Sequence, residues 1–499
     1  MNADYNSFIA LVKESNTLGS VESLLDWDSE TYMPEQGLTA RAEQLSLLAA
    51  LSHQKRTDPR VGELLGKLEG RVSDPVQVAN VREVRRGYDR AVKIPEELVR
   101  KIAHTSTIAK DAWGKARIDN DFPAFAPHLA ELLSLKRQVA DRIGYQGEPY
   151  DALLDEFEPG MTAVEVARVF DSLRGPLSDF VKRIATAPKK PDASLLHRHF
   201  PRDAQEKFGR RMAEVIGFEF KAGRLDVSKH PFCSGTSPGD VRLTTRYYED
   251  FFSPSVFGVL HEAGHGLYEQ GLPLEHLFTP MCQATSLGIH ESQSRMWENF
   301  VGRSRPFWER FFGEAQAAFP AALGDVSLDA FVGAINTVQP SLIRVEADEV
   351  TYNLHIILRF ELERLLISGK LNVKDVPAAW NSKMNELFGI TPPNDREGCL
   401  QDIHWSMGAF GYFPTYALGN LYAAQFFAAA GRSIPDLNGH IRRGEFTPLL
   451  EWLRENIHRH GQMYRASDLV QRVTGSPLSI EPFLDYVRTK FSPIYGLSM

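Results

Sequence analysis

Val256-Phe-Gly-Val-Leu-His-Glu-Ala-Gly-His-Gly-Leu-Tyr268 is the stretch around which the chain is organised. Its apolar residues recur at helical spacing. Pro254 precedes them and suits the first turn of a helix, where its missing N–H costs nothing. Gly264 costs a helix about 1 kcal/mol relative to Ala, so its presence indicates that another group needs room there. The sequence therefore predicts a helix that Gly271 closes.

The same stretch carries the pattern His-Glu-x-x-His at His261, Glu262 and His265. Two histidines four residues apart lie on one face of a helix and can bind a single cation. Glu262 lies about 100° around the helix from His261, so it suits a catalytic base better than a fourth ligand. The alternative interpretation is a chance pattern, with two unrelated histidines on a partly buried helix.

A catalytic zinc ion needs a third protein ligand and an open position for water. A second helix, predicted over Ser286–Glu298, carries Glu291 thirty residues after His261. That distance allows a helix, a turn and a return to the metal, which is the gluzincin arrangement. The alternative for Glu291 is an ordinary ion pair with Arg295 at i+4. The pattern predicts a zinc site within residues 261–291, formed by His261, His265 and Glu291.

Six motifs follow one another in the order used by a known family. They are His230-Pro-Phe232, Asp240-Val-Arg-Leu-Thr244, His261-Glu-Ala-Gly-His265, His290-Glu-Ser-Gln293, Ile343-Arg-Val-Glu-Ala-Asp348 and Gly398-Cys-Leu-Gln-Asp-Ile-His-Trp405. With Trp27-Asp-Ser-Glu-Thr-Tyr-Met-Pro34, they make nearly the whole chain similar to the carboxypeptidase Taq family of zinc metallocarboxypeptidases. The resemblance implies release of single C-terminal residues from short peptides with broad preference. It also implies one Zn²⁺ per chain, replaceable by another divalent ion such as Co²⁺, a cytoplasmic location and a homodimer.

Helical patterns dominate the chain, and strands do not alternate with helices as a parallel α/β fold requires. Val241, Leu243 and Thr245 alternate with polar residues and predict a short strand just before the metal-binding helix. We expect one mainly α-helical, neurolysin-like domain over residues 1–499, with two lobes around a deep groove and a small strand element beside the zinc helix. Residues 187–192 are the best candidate for a surface linker.

The composition is that of an ordinary globular protein, with 43% hydrophobic and 24% charged residues. A net charge of −8 argues against nucleic acid as a partner. No window approaches the roughly 20 apolar residues of a membrane span, and residues 418–430 predict a buried helix instead. Three cysteines without a Cys-x-x-Cys pattern and a start without signal-peptide features fit a reducing cytoplasm.

Peptide hydrolysis also requires hydrogen-bond donors for the tetrahedral oxyanion. The segment around residues 401–416 is rich in such groups, and the resemblance supports a neutral donor from it. The candidates are His404, Tyr412 and Tyr416, the last of which is also a candidate for substrate binding.

Recognition of a free C-terminal carboxylate favours an arginine, whose guanidinium offers two parallel donors. Arg344 is the first candidate, on a helix predicted from Ser341 to Ser368, with Asp348 orienting it across one turn. Arg242 is the second candidate, and His230 is expected to line the same groove. The alternative for each arginine is a structural ion pair.

A carboxylate should orient each zinc-binding histidine, and Glu298, Asp348 and Asp402 are the candidates. The zinc ligands do not encode where a peptide is cut. A zinc oligopeptidase or a dipeptidyl-releasing peptidase is therefore the alternative function. A helical scaffold protein with an incidental motif is the alternative from another class.

Overall fold

The computed structural model describes residues 3–498, and most of them are helical. The α-helices are α1 (Ala3–Thr31), α2 (Leu38–Arg56), α3 (Pro59–Leu68), α4 (Pro75–Lys93), α5 (Glu96–Asp119), α6 (Phe122–Ile143), α7 (Pro149–Leu154), α8 (Ala163–Ala185), α9 (Arg202–Val215), α10 (Ser253–Gly271), α11 (Leu287–Arg295), α12 (Arg305–Ala318), α13 (Pro320–Leu323), α14 (Leu328–Ile335), α15 (Tyr352–Ile367), α16 (Val376–Phe388), α17 (Pro414–Ser433), α18 (Leu437–Arg443), α19 (Thr447–Asn456), α20 (Ala466–Thr474) and α21 (Glu481–Tyr495). A π-helical segment, Met296–Gly302, continues α11. The strands are β1 (Gly223–Val227), β2 (Cys233–Ser237) and β3 (Asp240–Thr245).

The chain divides into two compact units. Unit 1 comprises residues 1–92, 191–336 and 422–478, and unit 2 comprises residues 93–190, 337–421 and 479–499. The candidate linker at 187–192 contains one of the crossings between units, between Lys190 and Pro191.

Unit 1 contains a three-stranded sheet in the order β1-β3-β2. β3 pairs in parallel with β1, with Leu225 opposite Leu243, and antiparallel with β2, with Cys233 opposite Leu243. Its side chains Val241, Leu243 and Thr245 are buried and Arg242 is half-buried, as the sequence pattern predicted, but Thr244, which the alternation placed among the polar positions, is also buried. Both β2 and β3 pack against α10, so the predicted strand element beside the metal-binding helix is confirmed.

Helix α10 begins at Ser253, with Pro254 in its first turn, and ends at Gly271. Its apolar residues are buried on more than one side, because α9, α11 and the sheet all pack against it. A Cβ on Gly264 would lie 2.7 Å from the carbonyl oxygen of Gln293 in α11. Glycine at this position therefore lets α11 approach the backbone of α10, which is the close contact that the sequence indicated.

Unit 2 is built around α15, which packs against α6, α7, α8 and α16. Leu129, Leu132, Leu133 and Val139 of α6 recur at helical spacing and are buried. Helix α8 opens with a capping box, in which Thr162 Oγ1 accepts from the amide of Glu165 and the Glu165 carboxylate accepts from the amide of Thr162.

The single long helix predicted from Ser341 to Ser368 is wrong in its first part. Only Tyr352–Ile367 is α-helical, and residues 344–346 form a separate 3₁₀ turn. Asp348 Oδ1 accepts from the amides of Val350 and Thr351, at 2.9 Å each, so the side chain competes with helical hydrogen bonding and holds the turn that precedes α15. Val345, which lies in the 3₁₀ turn, is 62% exposed.

Among the described residues, no helix combines the length and the apolar content needed to cross a bilayer. Residues 418–430 belong to the buried helix α17, as predicted.

Candidate metal centre

The three predicted ligands converge within unit 1. The ligand atoms of His261, His265 and Glu291 all lie within 4.8 Å of one another. Glu291 Oε2 lies 3.7 Å from His261 Nε2 and 3.4 Å from His265 Nε2. Ligand atoms around a tetrahedral divalent ion lie about 3.4 Å apart, and the two distances from Glu291 are close to that value. Two imidazole nitrogens and a carboxylate also form a donor set that suits a divalent ion such as zinc.

A carboxylate fixes the orientation of His261. Glu298 Oε2 accepts from His261 Nδ1 at 2.9 Å, so the Nε2 lone pair is left for a cation. Of the three carboxylates proposed for this task, the structure selects Glu298 for His261. Glu298 lies on the π-helical segment, and such segments often occur at functional sites.

His265 has a different environment. Its ring stacks on His290 with centroids 4.4 Å apart, and His290 Nε2 donates to Glu269 at 2.8 Å. Burial, followed by the nearby His290, lowers the pKa of His265 to about 3, so this imidazole is neutral and able to bind a metal. Its Nδ1 is buried without a hydrogen-bond partner among the described residues.

Glu291 faces the two histidines, as predicted for a metal ligand, and also forms the ion pair with Arg295 that was the alternative. Its Oε1 accepts from Arg295 Nε at 2.7 Å, while its Oε2 faces the two imidazoles. Burial opposes ionisation, but Arg295 and His261 outweigh it and hold the pKa of Glu291 well below its usual range. The ion pair with Arg295 therefore keeps the carboxylate charged, as a metal ligand must be.

Glu262 is buried beside this cluster and is 6% exposed. Burial raises the pKa of its carboxyl to about 7, with a further contribution in the same direction from Glu291. Proton transfer is most effective when the pKa of the base lies near the working pH. The environment of Glu262 thus suits the base that the motif predicted.

The remaining predicted residues of unit 1 lie at the sheet. Arg242 donates from Nε and Nη2 to Asp240, both at 2.9 Å, and its guanidinium stacks 4.2 Å from the Trp27 ring. His230 has an exposed side chain. The structure thus fixes the guanidinium of Arg242 from two sides, and the substrate-binding roles of Arg242 and His230 stay predictions.

Arg344 lies in a buried cluster of unit 2. Its Nε donates to Asp402 Oδ1 at 2.9 Å, and its Nη1 donates to the Tyr352 hydroxyl at 2.8 Å. Asp402 also pairs with Arg359, which is fully buried. The prediction that Asp348 orients Arg344 is wrong, because Asp348 binds backbone amides and Asp402 takes that place. Asp402 and Asp348 therefore bind groups of unit 2 rather than His261.

The three candidate oxyanion donors form one cluster in unit 2. His404 Nε2 lies 3.2 Å from the Tyr416 hydroxyl, and the His404 and Tyr412 ring centroids are 5.4 Å apart. Burial and the neighbouring Arg344 lower the pKa of His404 to about 3, so its ring is neutral. The guanidinium of Arg344 lies 5.1 Å from the Tyr416 ring, which joins this cluster to the arginine.

Sequence reasoning missed Arg359, Gln401 and the His290–Glu269 pair as parts of these clusters. Gln401 Oε1 accepts from the Arg344 amide and from Arg359 Nη2, at 2.8 and 2.7 Å. Gln401 lies in the motif at residues 398–405 and His290 in the motif at residues 290–293, so membership of these motifs could have indicated both residues. Arg359 had no such signal, because its partners are distant in sequence.

The chain matches the family described as carboxypeptidase Taq (M32) metallopeptidase over residues 7–491. Thermostable carboxypeptidase 1 of Thermus thermophilus is 48% identical over 507 residues, covering 99% of each chain. Carboxypeptidase 1 of Bacillus subtilis is 39% identical, covering 98% of each chain.

Solved structures agree with these sequence matches. The M32 carboxypeptidase from Deinococcus radiodurans superposes with a TM-score of 0.96 and is 40% identical, covering 99% of this chain and 100% of that chain. A Pyrococcus furiosus carboxypeptidase gives a TM-score of 0.95 at 36% identity, covering 98% and 99%. The mainly α-helical fold predicted from the sequence is confirmed.

Proposed function

Because the chain belongs to the carboxypeptidase Taq (M32) metallopeptidase family and is a metallocarboxypeptidase, we propose that its metal is one zinc ion per chain, held by His261, His265 and Glu291. The substrates are short peptides, from which the enzyme releases single C-terminal residues with broad preference. The observation that carries the proposal is the convergence of three metal-binding atoms within 4.8 Å beside the buried Glu262.

The geometry of these three side chains suits a cation. The Glu298 hydrogen bond to His261 Nδ1 directs Nε2 of that ring toward Glu291, and His265 Nε2 faces the same carboxylate oxygen. With both Nε2 atoms deprotonated, two lone pairs and a carboxylate would point at one position, which a divalent cation would occupy favourably. When bound, a zinc ion supplies Lewis acidity, which activates a water and polarises the scissile carbonyl.

Glu262 is the proposed general base. It takes a proton from the attacking water and delivers it to the leaving amine. Its burial keeps the pKa near neutrality, so the carboxylate can accept and release the proton within one turnover. Glu298 and Arg295 hold the ligands in position while this transfer takes place.

His404 and Tyr412 are the proposed donors for the oxyanion. A neutral His404 offers an N–H without adding a charge, and the two tyrosine hydroxyls beside it are further donors. Tyr416 is proposed to bind substrate through the same cluster. These roles are supported by the chemistry of the residues and by the motif that contains His404.

Arg344 is proposed to bind the free C-terminal carboxylate. Asp402 and Tyr352 engage its Nε and Nη1, so the guanidinium is fixed before a substrate arrives. Two guanidiniums share the single carboxylate of Asp402, which leaves a net positive charge for an incoming anion. Arg242 and His230 are proposed to contact the remainder of the peptide.

The test uses a peptide with mixed C-terminal residues and mass spectrometry of the products over time. We expect a ladder of single-residue losses, abolished by a chelator and restored by Zn²⁺ or Co²⁺, with one metal ion per chain in elemental analysis. Internal fragments or dipeptides would support the oligopeptidase alternative. Hydrolysis that a chelator leaves unchanged would contradict the metal centre.

We further propose a cytoplasmic homodimer. Three free cysteines, Cys233, Cys282 and Cys399, support a reducing compartment. The dimer is supported by the family resemblance, and light scattering coupled to size exclusion tests it directly. A net charge of −8 supports the absence of a nucleic-acid partner.

A further inference from the structure

Glu363 is a fully buried carboxylate on α15 that the proposed reaction does not use. Its Oε2 accepts from the Tyr150 hydroxyl at 2.7 Å and from the Gly411 amide at 3.1 Å. Its Oε1 accepts from the Trp405 indole N–H at 2.9 Å. All three donors are neutral, and the side chain is 0% exposed. A buried carboxylate without an ion pair is costly, so a specific task is the expected reason for it.

Nearby arginines do not take Glu363 as their partner. Arg359, one turn earlier on α15, directs its guanidinium to Asp402 and Gln401. Arg364, the next residue along, pairs with Glu148. The carboxylate of Glu363 therefore serves to accept hydrogen bonds from the segment that packs against α15.

That segment is the turn from His404 to Tyr412. Trp405, which follows His404, binds one oxygen of Glu363, and Gly411, which precedes Tyr412, binds the other. Gly411 has a φ of +95°, and a Cβ there would lie 2.7 Å from the backbone carbon of Leu153 in α7. The turn is thus held at both ends by one carboxylate and is pressed against the helix that carries Tyr150.

We propose that Glu363 is a positioning residue for the reaction. It holds both ends of the 405–411 turn so that the flanking His404 and Tyr412 keep their mutual arrangement, with ring centroids 5.4 Å apart. This inference rests on the roles proposed above for His404 and Tyr412. A displacement of about 1 Å in such donors lowers the rate strongly, because the transition state is more sensitive than substrate binding to donor geometry.

Glu363→Gln is the sharpest substitution, since it keeps the shape and changes only the hydrogen-bonding pattern. A glutamine has one acceptor oxygen, so its NH₂ group must face either the Trp405 N–H or the donors at Oε2. We expect the glutamine oxygen to keep the hydrogen bonds from Tyr150 and Gly411. Its NH₂ group then faces the indole N–H of Trp405, so two donors oppose each other. Trp405→Phe removes the indole N–H and thereby removes the conflict.

The test compares steady-state kinetics of metal-loaded E363Q, W405F and the double variant. We expect kcat of E363Q to fall about tenfold while KM stays within about twofold. The kcat of the double variant should lie within about threefold of the kcat of W405F alone. A wild-type kcat in E363Q, or a double variant as slow as E363Q, would overturn the inference.

A matched control separates positioning from folding. Glu349 is also a buried carboxylate of unit 2, and it is bound by the Tyr486 hydroxyl and by Lys490. E349Q should lower the melting temperature while kcat is retained. If E363Q yields no folded protein, Y150F and W405F replace it, since each removes one of the three hydrogen bonds. Unchanged kcat in both would overturn the inference.

His404→Ala and Tyr412→Phe are measured in the same assay. If both lower kcat and E363Q does not, the proposed roles stand and only the positioning role fails. If neither lowers kcat, the roles proposed for His404 and Tyr412 fail, and this inference fails with them.

Discussion

The metal centre of unit 1 and the arginine cluster of unit 2 are both built around one buried carboxylate, yet the ligands proposed for them have opposite charges. In unit 1, Glu291 Oε2 faces the Nε2 atoms of two imidazoles. In unit 2, Asp402 meets two guanidiniums, those of Arg344 and Arg359. Both carboxyls have a pKa held well below the usual range, by Arg295 and His261 in the first case and by the two arginines in the second.

The two clusters differ in the charge of the ligand that each of them can accommodate. The metal centre offers two imidazole nitrogens and a carboxylate to a cation, whereas the arginine cluster keeps an excess of positive charge that suits a carboxylate. A buried ionised group is stable only when groups of opposite charge or hydrogen-bond partners surround it. The net charge of each cluster therefore indicates the charge of the ligand that it would bind. Substitutions in the two clusters test that contrast.

Glu262→Gln should lower kcat about 10³-fold and leave metal stoichiometry unchanged, because it removes a base and no ligand. Elemental analysis and steady-state kinetics of the same preparation check both statements. The base acts when ionised, so the kcat/KM of the wild type should fall as the pH drops. The burial-raised pKa of about 7 places that decline at or below pH 7, since a bound cation lowers the pKa of a nearby carboxyl.

Near-normal turnover of a metal-replete Glu262→Gln variant would refute the role of Glu262. Glu309→Gln provides the control for this substitution, because Glu309 forms ion pairs with Arg305 and Arg442 elsewhere in unit 1.

Arg344→Ala should weaken binding of peptides with a free terminal carboxylate about 100-fold, and of amidated peptides much less. Competitive inhibition constants for matched free and amidated peptides measure the difference. Arg364→Ala is the control, since its half-buried side chain pairs with Glu148 in the same unit. Equal losses for the two peptide series would remove Arg344 from carboxylate recognition.

Glu298→Gln should weaken metal binding about tenfold, because a neutral amide accepts from His261 Nδ1 but no longer makes the imidazole more basic. Competition with a fluorescent chelator provides the measurement. Unchanged metal affinity in this variant would show that the hydrogen bond to His261 has no part in holding the ion.

Asp348→Ala should have the smallest effect, a loss of about 1–2 kcal/mol in the free energy of unfolding with kcat and KM retained. Asp348 accepts from the amides of Val350 and Thr351 and contacts the Thr351 hydroxyl, so its loss frees these donors. Denaturant unfolding and peptide kinetics are the measurements. A selective rise in KM for peptides with a free carboxylate would restore the sequence-based pairing of Asp348 with Arg344.

The metal centre was predictable because the arrangement of its two histidines depends on residues that are close together in the sequence. The spacing of His261 and His265 follows from helical geometry, and Gly264 marked the approach of the helix that brings in Glu291. The surroundings of Arg344 were not predictable in this way. The helical period of residues 341–368 predicted one helix. In the structure, backbone amides donate to the side chains of Asp348 and Gln401 instead of forming helical hydrogen bonds, so the helix begins later.

Sequence patterns alone predicted the helical class of the fold, the short strand before α10 and the three side chains that converge as the candidate metal site. Period and spacing along one or two helices suffice for these features, since neighbours on a helix are neighbours in sequence. Tertiary packing selected Glu298 as the partner of His261, Asp402 as the partner of Arg344 and Glu363 as the acceptor for the turn after His404. Those partners lie 37, 58 and 42 residues apart, and packing of whole elements brings them into contact.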